Sequence, residues 1–157
     1  MKWCCNQAKG IKLIEPNLNI SQSYIQLAES SIGTMNRERK MNIVFSISAG
    51  YYSMYYSLYA ILTAIGIKCE IHQCTLKFME EFLSDFYNKE DINAIYDAFK
   101  LRNTAQYYVD KILDEKDINK MIKNAPEFVA KSKNILSSIN EKMIKDIRNR
   151  FKALYKI

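Results

Sequence analysis

Glycine and proline are scarce in this chain, four and two among 157 residues. Such scarcity argues against an all-β sandwich, which needs both at its many turns. No stretch alternates apolar and polar residues with period two, a second mark against strands. Internal repeats and low-complexity segments are also missing. Met1 to Cys5 opens without the charged-then-apolar run of a signal peptide, so the expected location is cytoplasmic. Histidine occurs once, as His72. What the chain has in quantity is apolar. Hydrophobic residues make up 48% of it, which excludes global disorder. At this length one domain with one core is expected, spanning residues 1–157.

The most telling absence is of charge. Met41 to Ile67 holds no charged residue in 27 positions, while 25% of the chain is charged. Lys40 and Lys68 bracket it. About 20 apolar residues span a bilayer, so length alone would allow a membrane helix. The stretch is too polar for that. It carries Asn42, Ser46, Ser48, Ser53, Ser57, Thr63 and five tyrosines, Tyr51, Tyr52, Tyr55, Tyr56 and Tyr59. No second span exists for those hydroxyls to face. The expectation is the central helix of a soluble bundle, wet on no side, with no membrane contact. Gly66 would be its left-handed stop. Gly50 inside it costs about 1 kcal/mol against alanine, which calls for the close approach of a neighbouring backbone.

Around this rod the remaining helices can be placed in order. Met1 to Pro16 reads as an irregular arm, residues 1–16, punctuated by Gly10 and Pro16. Ser21 is the expected N-cap of a first helix, with a stripe of Tyr24, Leu27, Ala28, Ser31 or Ile32, and Met35. Arg37 to Lys40 is a charged link into the rod, and Ile67 to Cys74 a loop after it. A third helix begins near Thr75, with Leu76, Met79, Phe82 or Leu83, and Phe86 on its stripe. Asn88 to Asp91 breaks it. From Asp91 a fourth helix, with Ile92, Ile95 and Phe99 on one face, runs to about Ile112. Asp114 to Asp117 is a charged turn, and a long last helix carries apolar residues from Ile118 to Met143. Pro126 should kink or break that helix. The predicted fold class is all-α, an up-and-down bundle of four to five helices with a long C-terminal helix.

The net charge of +6 is concentrated at the end, a basic helical extension over residues 140–157. From Lys142 to Ile157, Lys142, Lys145, Arg148, Arg150, Lys152 and Lys156 stand against Asp146, a net of +5. The simple reading is a solvated helix end, where cations suit the dipole. The sharper one is a contact for phosphates, an acidic protein or a membrane surface.

Four cysteines fall in two groups, Cys4-Cys5 and Cys69…Cys74, the second flanking His72. Zinc prefers Cys pairs two to four residues apart, and adjacent cysteines seldom both reach one ion. No metal is expected. Four reduced, partly buried thiols are the expectation, and a disulfide between the groups is the oxidised alternative.

Arg102 is the chemical anomaly. At 100° per residue, Ile95, Ala98, Phe99, Gln106 and Val109 fall within about 60° of it on the helical wheel. An arginine in an apolar stripe is costly unless it pairs with an acid, reaches out along its stem, or opens onto a cleft or interface. Asn103, Gln106, Tyr107 and Tyr108 crowd the adjoining turn. Guanidinium, amide and phenol together suit a phosphate or a base edge.

The run Leu101-Arg102-Asn103-Thr104-Ala105-Gln106-Tyr107-Tyr108 resembles the signature turn of HEPN domains, small helical domains of higher eukaryotes and prokaryotes associated with nucleotide binding. It is similar to a mainly archaeal branch with an Arg-Asn-x-x-(Asp)-Tyr pattern. Further pieces agree in order: Ala49-Gly50-Tyr51-Tyr52-Ser53-Met54-Tyr55-Tyr56, then Ala60-Ile61-Leu62, then Gly66-Ile67-Lys68 followed by His72. Ala125-Pro126-Glu127-Phe128-Val129 resembles that branch's Ala-Glu-Glu-Phe-Val segment, so the likeness covers roughly residues 20–140.

The resemblance implies a helical bundle that forms homodimers. Many relatives are RNA-cleaving toxins that use Arg-x4–6-His, the imidazole as acid or base and the arginine on phosphate. Here Tyr107 and Tyr108 stand five and six residues after Arg102. A phenol with a pKa of about 10 is a poor general base at neutral pH. The expectation is therefore an accessory domain without catalysis or cofactor. It would bind RNA or a nucleotide in an Arg102 cleft lined by Asn103, Gln106, Tyr107, Tyr108 and His72. Some relatives pair with a small nucleotidyltransferase that can modify a tyrosine of the motif. Such an enzyme is an expected partner, although the motif's His-x-Tyr spacing is absent here. Two alternatives stand beside this reading. One is a ribonuclease with a non-standard site, its catalytic candidates Arg102 and His72. The other is a structural dimerisation module. For His72 the resemblance implies a loop residue that caps the third helix or faces the Arg102 cleft.

Overall fold

The computed structural model describes residues 1–108 and 110–155. Among them are seven helices: α1 (Lys2–Cys5), α2 (Leu18–Glu38), α3 (Ile43–Ala64), α4 (His72–Phe82), α5 (Lys89–Tyr107), α6 (Glu115–Ser138) and α7 (Glu141–Tyr155). Two short strands, β1 (Lys12–Leu13) and β2 (Ile67–Lys68), pair antiparallel, Lys12 opposite Lys68 and Leu13 opposite Ile67. The predicted all-α bundle is what the chain forms. Among the described residues no helix is long and apolar enough to cross a membrane.

Asparagine and aspartate set most of the helix starts, because their short side chains can accept the first free amides. Asn17 accepts from the Ile20 amide at 2.9 Å, so α2 begins at Leu18 and the expected cap, Ser21, is buried inside it. Asn42 does the same for α3 through the Phe45 amide. Asn88 and Asp91 cap each other's amides at 2.9 and 2.8 Å, so the polar stretch that reads as a break is the start of α5. Asp114 caps α6 through the Lys116 amide, which turns the expected charged turn into the first turn of a helix.

α3 is the centre, packed by α2, α5 and α6, while α4 lies against α5 and α7. Its hydroxyls are satisfied within the protein. Ser48, Ser53, Ser57 and Thr63 donate to carbonyls of Val44, Gly50, Met54 and Tyr59 on α3 itself. Ser46 donates to the Met35 carbonyl of α2 at 2.8 Å. The rod is not dry all round, since Phe45 is 61% exposed and Tyr52, Tyr56 and Tyr59 are half-buried. Gly50 makes room for side chains rather than a backbone. A Cβ there would sit 2.2 Å from the Met121 sulfur and 2.9 Å from that of Met35.

The end of α3 gathers distant parts of the chain. Gly66 takes φ +75°, the expected left-handed stop. Arg148 of α7 donates to the carbonyls of Ile14, Ile65 and Gly66 at 2.8–2.9 Å, placing a cation where the helix dipole is negative. Arg150 likewise donates to the Phe82 carbonyl at the end of α4. Two of the six basic residues of the tail are therefore tied to carbonyls at helix ends. Lys142, Lys145 and Lys152 are exposed, and Lys156 lies outside the described residues.

Four expectations fail in whole or in part. The N-terminal arm is not irregular, because α1 and β1 order it and the Ile14 amide donates to Gly66 O at 2.9 Å. The four thiols are not all reduced: Cys4 and Cys74 form a disulfide, leaving Cys5 and Cys69 free. Linking residues 70 apart removes about 4 kcal/mol of unfolded-chain entropy on the loop-closure account. Pro126 does not break α6, for it stands on the exposed face where water can take the freed carbonyl. The break comes at Ile139–Asn140, and Asn140 caps α7 through the Met143 amide. Finally, α5 ends at Tyr107 rather than near Ile112, and Val109 lies outside the described residues.

Gly66 predicts a large effect from a small change. A Cβ there would meet Arg148 Nη1 at 2.1 Å and Ile14 O at 2.5 Å, besides the backbone strain. Gly66→Ala should cost about 2 kcal/mol and lower Tm by roughly 4–8 °C, measured by thermal denaturation.

Candidate functional site

The site forms where α5 crosses α3. Ile95 and Ala98 are buried and hold α5 against the core, and Arg102 follows one turn later. Arg102 is half-buried, as its place on the wheel suggests. Its Nη1 donates to Asn103 Oδ1 and its Nη2 to the Tyr52 hydroxyl, each at 2.9 Å. Its Nε is buried and has no partner. Among the described residues no carboxylate lies within salt-bridge distance of it. The positive charge is instead faced by three rings, Tyr52 at 5.4 Å, Tyr107 at 5.6 Å and Tyr51 at 5.9 Å. Aromatic faces attract a cation but do not neutralise it. This is a guanidinium held in place with its charge still on offer.

The amides beside it are oriented by their own bonds. Gln106 Nε2 donates to Ser48 Oγ at 2.9 Å, while Ser48 donates onward to the Val44 carbonyl. Tyr107 is 68% exposed, so its ring forms an open wall of the site. Tyr108 belongs elsewhere: it is 50% exposed and its ring faces the Lys111 ammonium at 4.3 Å.

His72 is the first residue of α4, not a loop residue, and it caps nothing. Its ring stacks on Tyr55 at 4.1 Å and 8°. The Tyr51 hydroxyl meets its Nδ1 at 2.6 Å. Tyr51 is fully buried with no other partner, so its proton must go to Nδ1. That places the imidazole's own proton on Nε2. Burial lowers the His72 pKa, and the Arg102 charge lowers it further. Burial also raises the Tyr51 and Tyr55 phenols, and the guanidinium opposes this at Tyr51. Neutral imidazole and neutral phenol therefore coexist beside the cation.

The geometry thus brings Arg102, Asn103, Gln106 and Tyr107 into one patch, with His72 joined through Tyr51, and sends Tyr108 away. A cavity of about 220 Å³ lies between α5 and the start of α6, lined by Leu101, Leu113 and Met121. Another of about 560 Å³ lies between Leu18 and α7. Arg102 lines neither of these two. Among the described residues no three potential metal ligands stand together. Tyr51, Tyr52, Tyr55 and Ser48 are the site residues that Arg102's own neighbourhood in sequence does not reveal. Their signal was chemical: phenols in an uncharged helix need partners. No protein-family model matches the chain, and no curated protein matches it either.

A depressed His72 pKa fixes the sign of a pH effect. The folded state prefers the neutral ring, so its contribution is whole above the ordinary histidine value and is lost as pH falls below it. His72→Gln should therefore shrink the drop in Tm between about pH 7.5 and about pH 5.5 relative to wild type.

Proposed function

We propose that this chain is a HEPN-type accessory domain that binds the phosphate of single-stranded RNA or a nucleotide at Arg102, without cleaving it. The observation that carries this reading is the half-buried guanidinium with ring neighbours and no carboxylate. Pairing is the usual resolution for such a charge, and an anionic ligand is the alternative to an acid within the chain. The exposed Tyr107 ring supplies a surface on which a base can stack, and Asn103 and Gln106 supply amides for its edge. A small nucleotidyltransferase is the protein partner that the HEPN resemblance suggests, with a second copy of the chain as its dimer mate.

A ribonuclease reading is favoured by one feature, the convergence of His72 and Arg102 on Tyr51. Against it, the His72 Nδ1 is taken by a phenol and one ring face by Tyr55. Metal-independent cleavage of single-stranded RNA, abolished by Arg102→Ala and by His72→Ala, would establish that reading instead.

For the binding reading, labelled single-stranded RNA and a labelled nucleotide are titrated with wild type and Arg102→Ala. Loss of a charge-assisted contact should weaken binding by about tenfold to a hundredfold. Tm should stay within about 4 °C. Unchanged affinity in the variant, or no binding by wild type, contradicts the proposal. A dimer lost in Arg102→Ala, with no ligand bound by either form, would favour a structural module.

A further inference from the structure

Cys74 stands in the first turn of α4, two residues after His72, and is bonded to Cys4 of α1. We propose that this disulfide is a thiol–disulfide exchange site whose redox state fixes or frees the His72 end of the Arg102 surface. Only its last consequence, a change in RNA affinity, rests on the binding function proposed above.

The first turn of α4 has few other holds. Its N-cap, Ile71, offers no side-chain acceptor. The Thr75 hydroxyl meets Ile71 O and the Tyr55 hydroxyl only at 3.4 Å. The Cys74 bond is the turn's one covalent hold, beside the Tyr51–His72 hydrogen bond and the stacking of the His72 ring on Tyr55. The far end of α4 is tied independently, by Arg150 to the Phe82 carbonyl and by the Tyr155 hydroxyl to Glu81. The arm keeps its β1–β2 pairing and the Glu70 amide bond to Lys9 O. Cutting the disulfide therefore loosens α1 and the turn carrying His72 while the rest stays docked.

Cys4 is the point of entry. It is 7% exposed against 0% for Cys74, and it lies in a single-turn helix whose Trp3 is 59% exposed. A dithiol reductant supplies the electrons. One of its thiolates attacks Cys4 Sγ, the S–S bond breaks, and Cys74 leaves as a thiolate that takes up a proton. The reductant's second thiol then displaces Cys4 from the mixed disulfide. Two electrons and two protons pass to the protein, and the reductant becomes a disulfide. Cys5 and Cys69 do not replace it. Burial raises both thiols above their ordinary pKa, which keeps them protonated at neutral pH.

The chain places a unique probe at each end of the bond, its single tryptophan beside Cys4 and its single histidine near Cys74. The full chain carrying Cys5→Ser and Cys69→Ser is treated with dithiothreitol. Free thiols, Trp3 fluorescence, the His72 imidazole signal by NMR and far-ultraviolet circular dichroism are then followed. Two thiols should appear, Trp3 emission should rise as the quenching disulfide opens, and the His72 signal should shift with its pKa moving up toward the ordinary value. Helix content should hold. Cys4→Ser with Cys74→Ser should show the shifted signal with or without reductant. In both freed forms RNA affinity should fall by about fivefold, the worth of one positioned hydrogen bond. An unmoved His72 signal after both thiols appear overturns the proposal. So does cooperative loss of helix, which would make the bond a plain staple. A shifted His72 signal with no RNA bound in either state upholds the exchange site and refutes the binding function.

Discussion

The whole bundle depends on one constraint, that an uncharged helix rich in hydroxyls be buried with every polar group satisfied. α3 meets it locally. Ser48, Ser53, Ser57 and Thr63 turn back onto carbonyls of their own helix, and only Ser46 among its serines and threonine reaches out, to the Met35 carbonyl of α2. Tyrosine cannot do this, because its hydroxyl sits too far from the backbone. Each buried phenol must find a partner on another element, and those partners decide what is placed where. Tyr51 takes His72 of α4, Tyr59 accepts the Cys69 amide, and Tyr52 accepts Arg102 of α5. The same logic joins Tyr87 to Ser132 of α6, where Ser132 donates to Phe128 O and so must receive the phenol's proton.

The candidate site is a consequence of that demand. A tyrosine hydroxyl needs a donor or acceptor, and a guanidinium in an apolar stripe needs something to hold it. Tyr52 and Arg102 answer each other, yet the pair remains charged. Neutral phenols order the cation without cancelling it, which an aspartate would have done. His72 is kept neutral nearby by burial and by the same cation. The patch therefore has one positive charge, several hydrogen-bonding groups and no negative charge of its own.

Much of the fold was legible because its signals are short-range. The gap in charge over residues 41–67 marks the central helix, Gly66 marks its end, and the place of Arg102 on the wheel marks a cation turned partly inward. What stayed hidden lies in partners rather than faces. Nothing in a helical wheel tells that Arg148 will reach Gly66 across 82 residues, or that Cys4 will meet Cys74. Two-residue strands are too short to alternate, so β1 and β2 left no pattern. Asn88 reads as a break, because a cap and a loop use the same residues, and no pattern in the sequence singles out Asn17 or Asn140 as caps. At the site, the residues of α5 could be gathered from one turn of sequence, whereas Tyr51, Tyr52 and His72 join it only through packing of α3 and α4.

The central claim is that the Arg102 charge is offered to a ligand and not spent inside the fold. The most direct measurement follows the Arg102 side-chain Nε–H signal by NMR while a short single-stranded RNA is added. The account predicts a saturable shift of that signal, reversed by excess inorganic phosphate. A signal that stays fixed while RNA binds elsewhere, or while no signal of the protein moves at all, would contradict it.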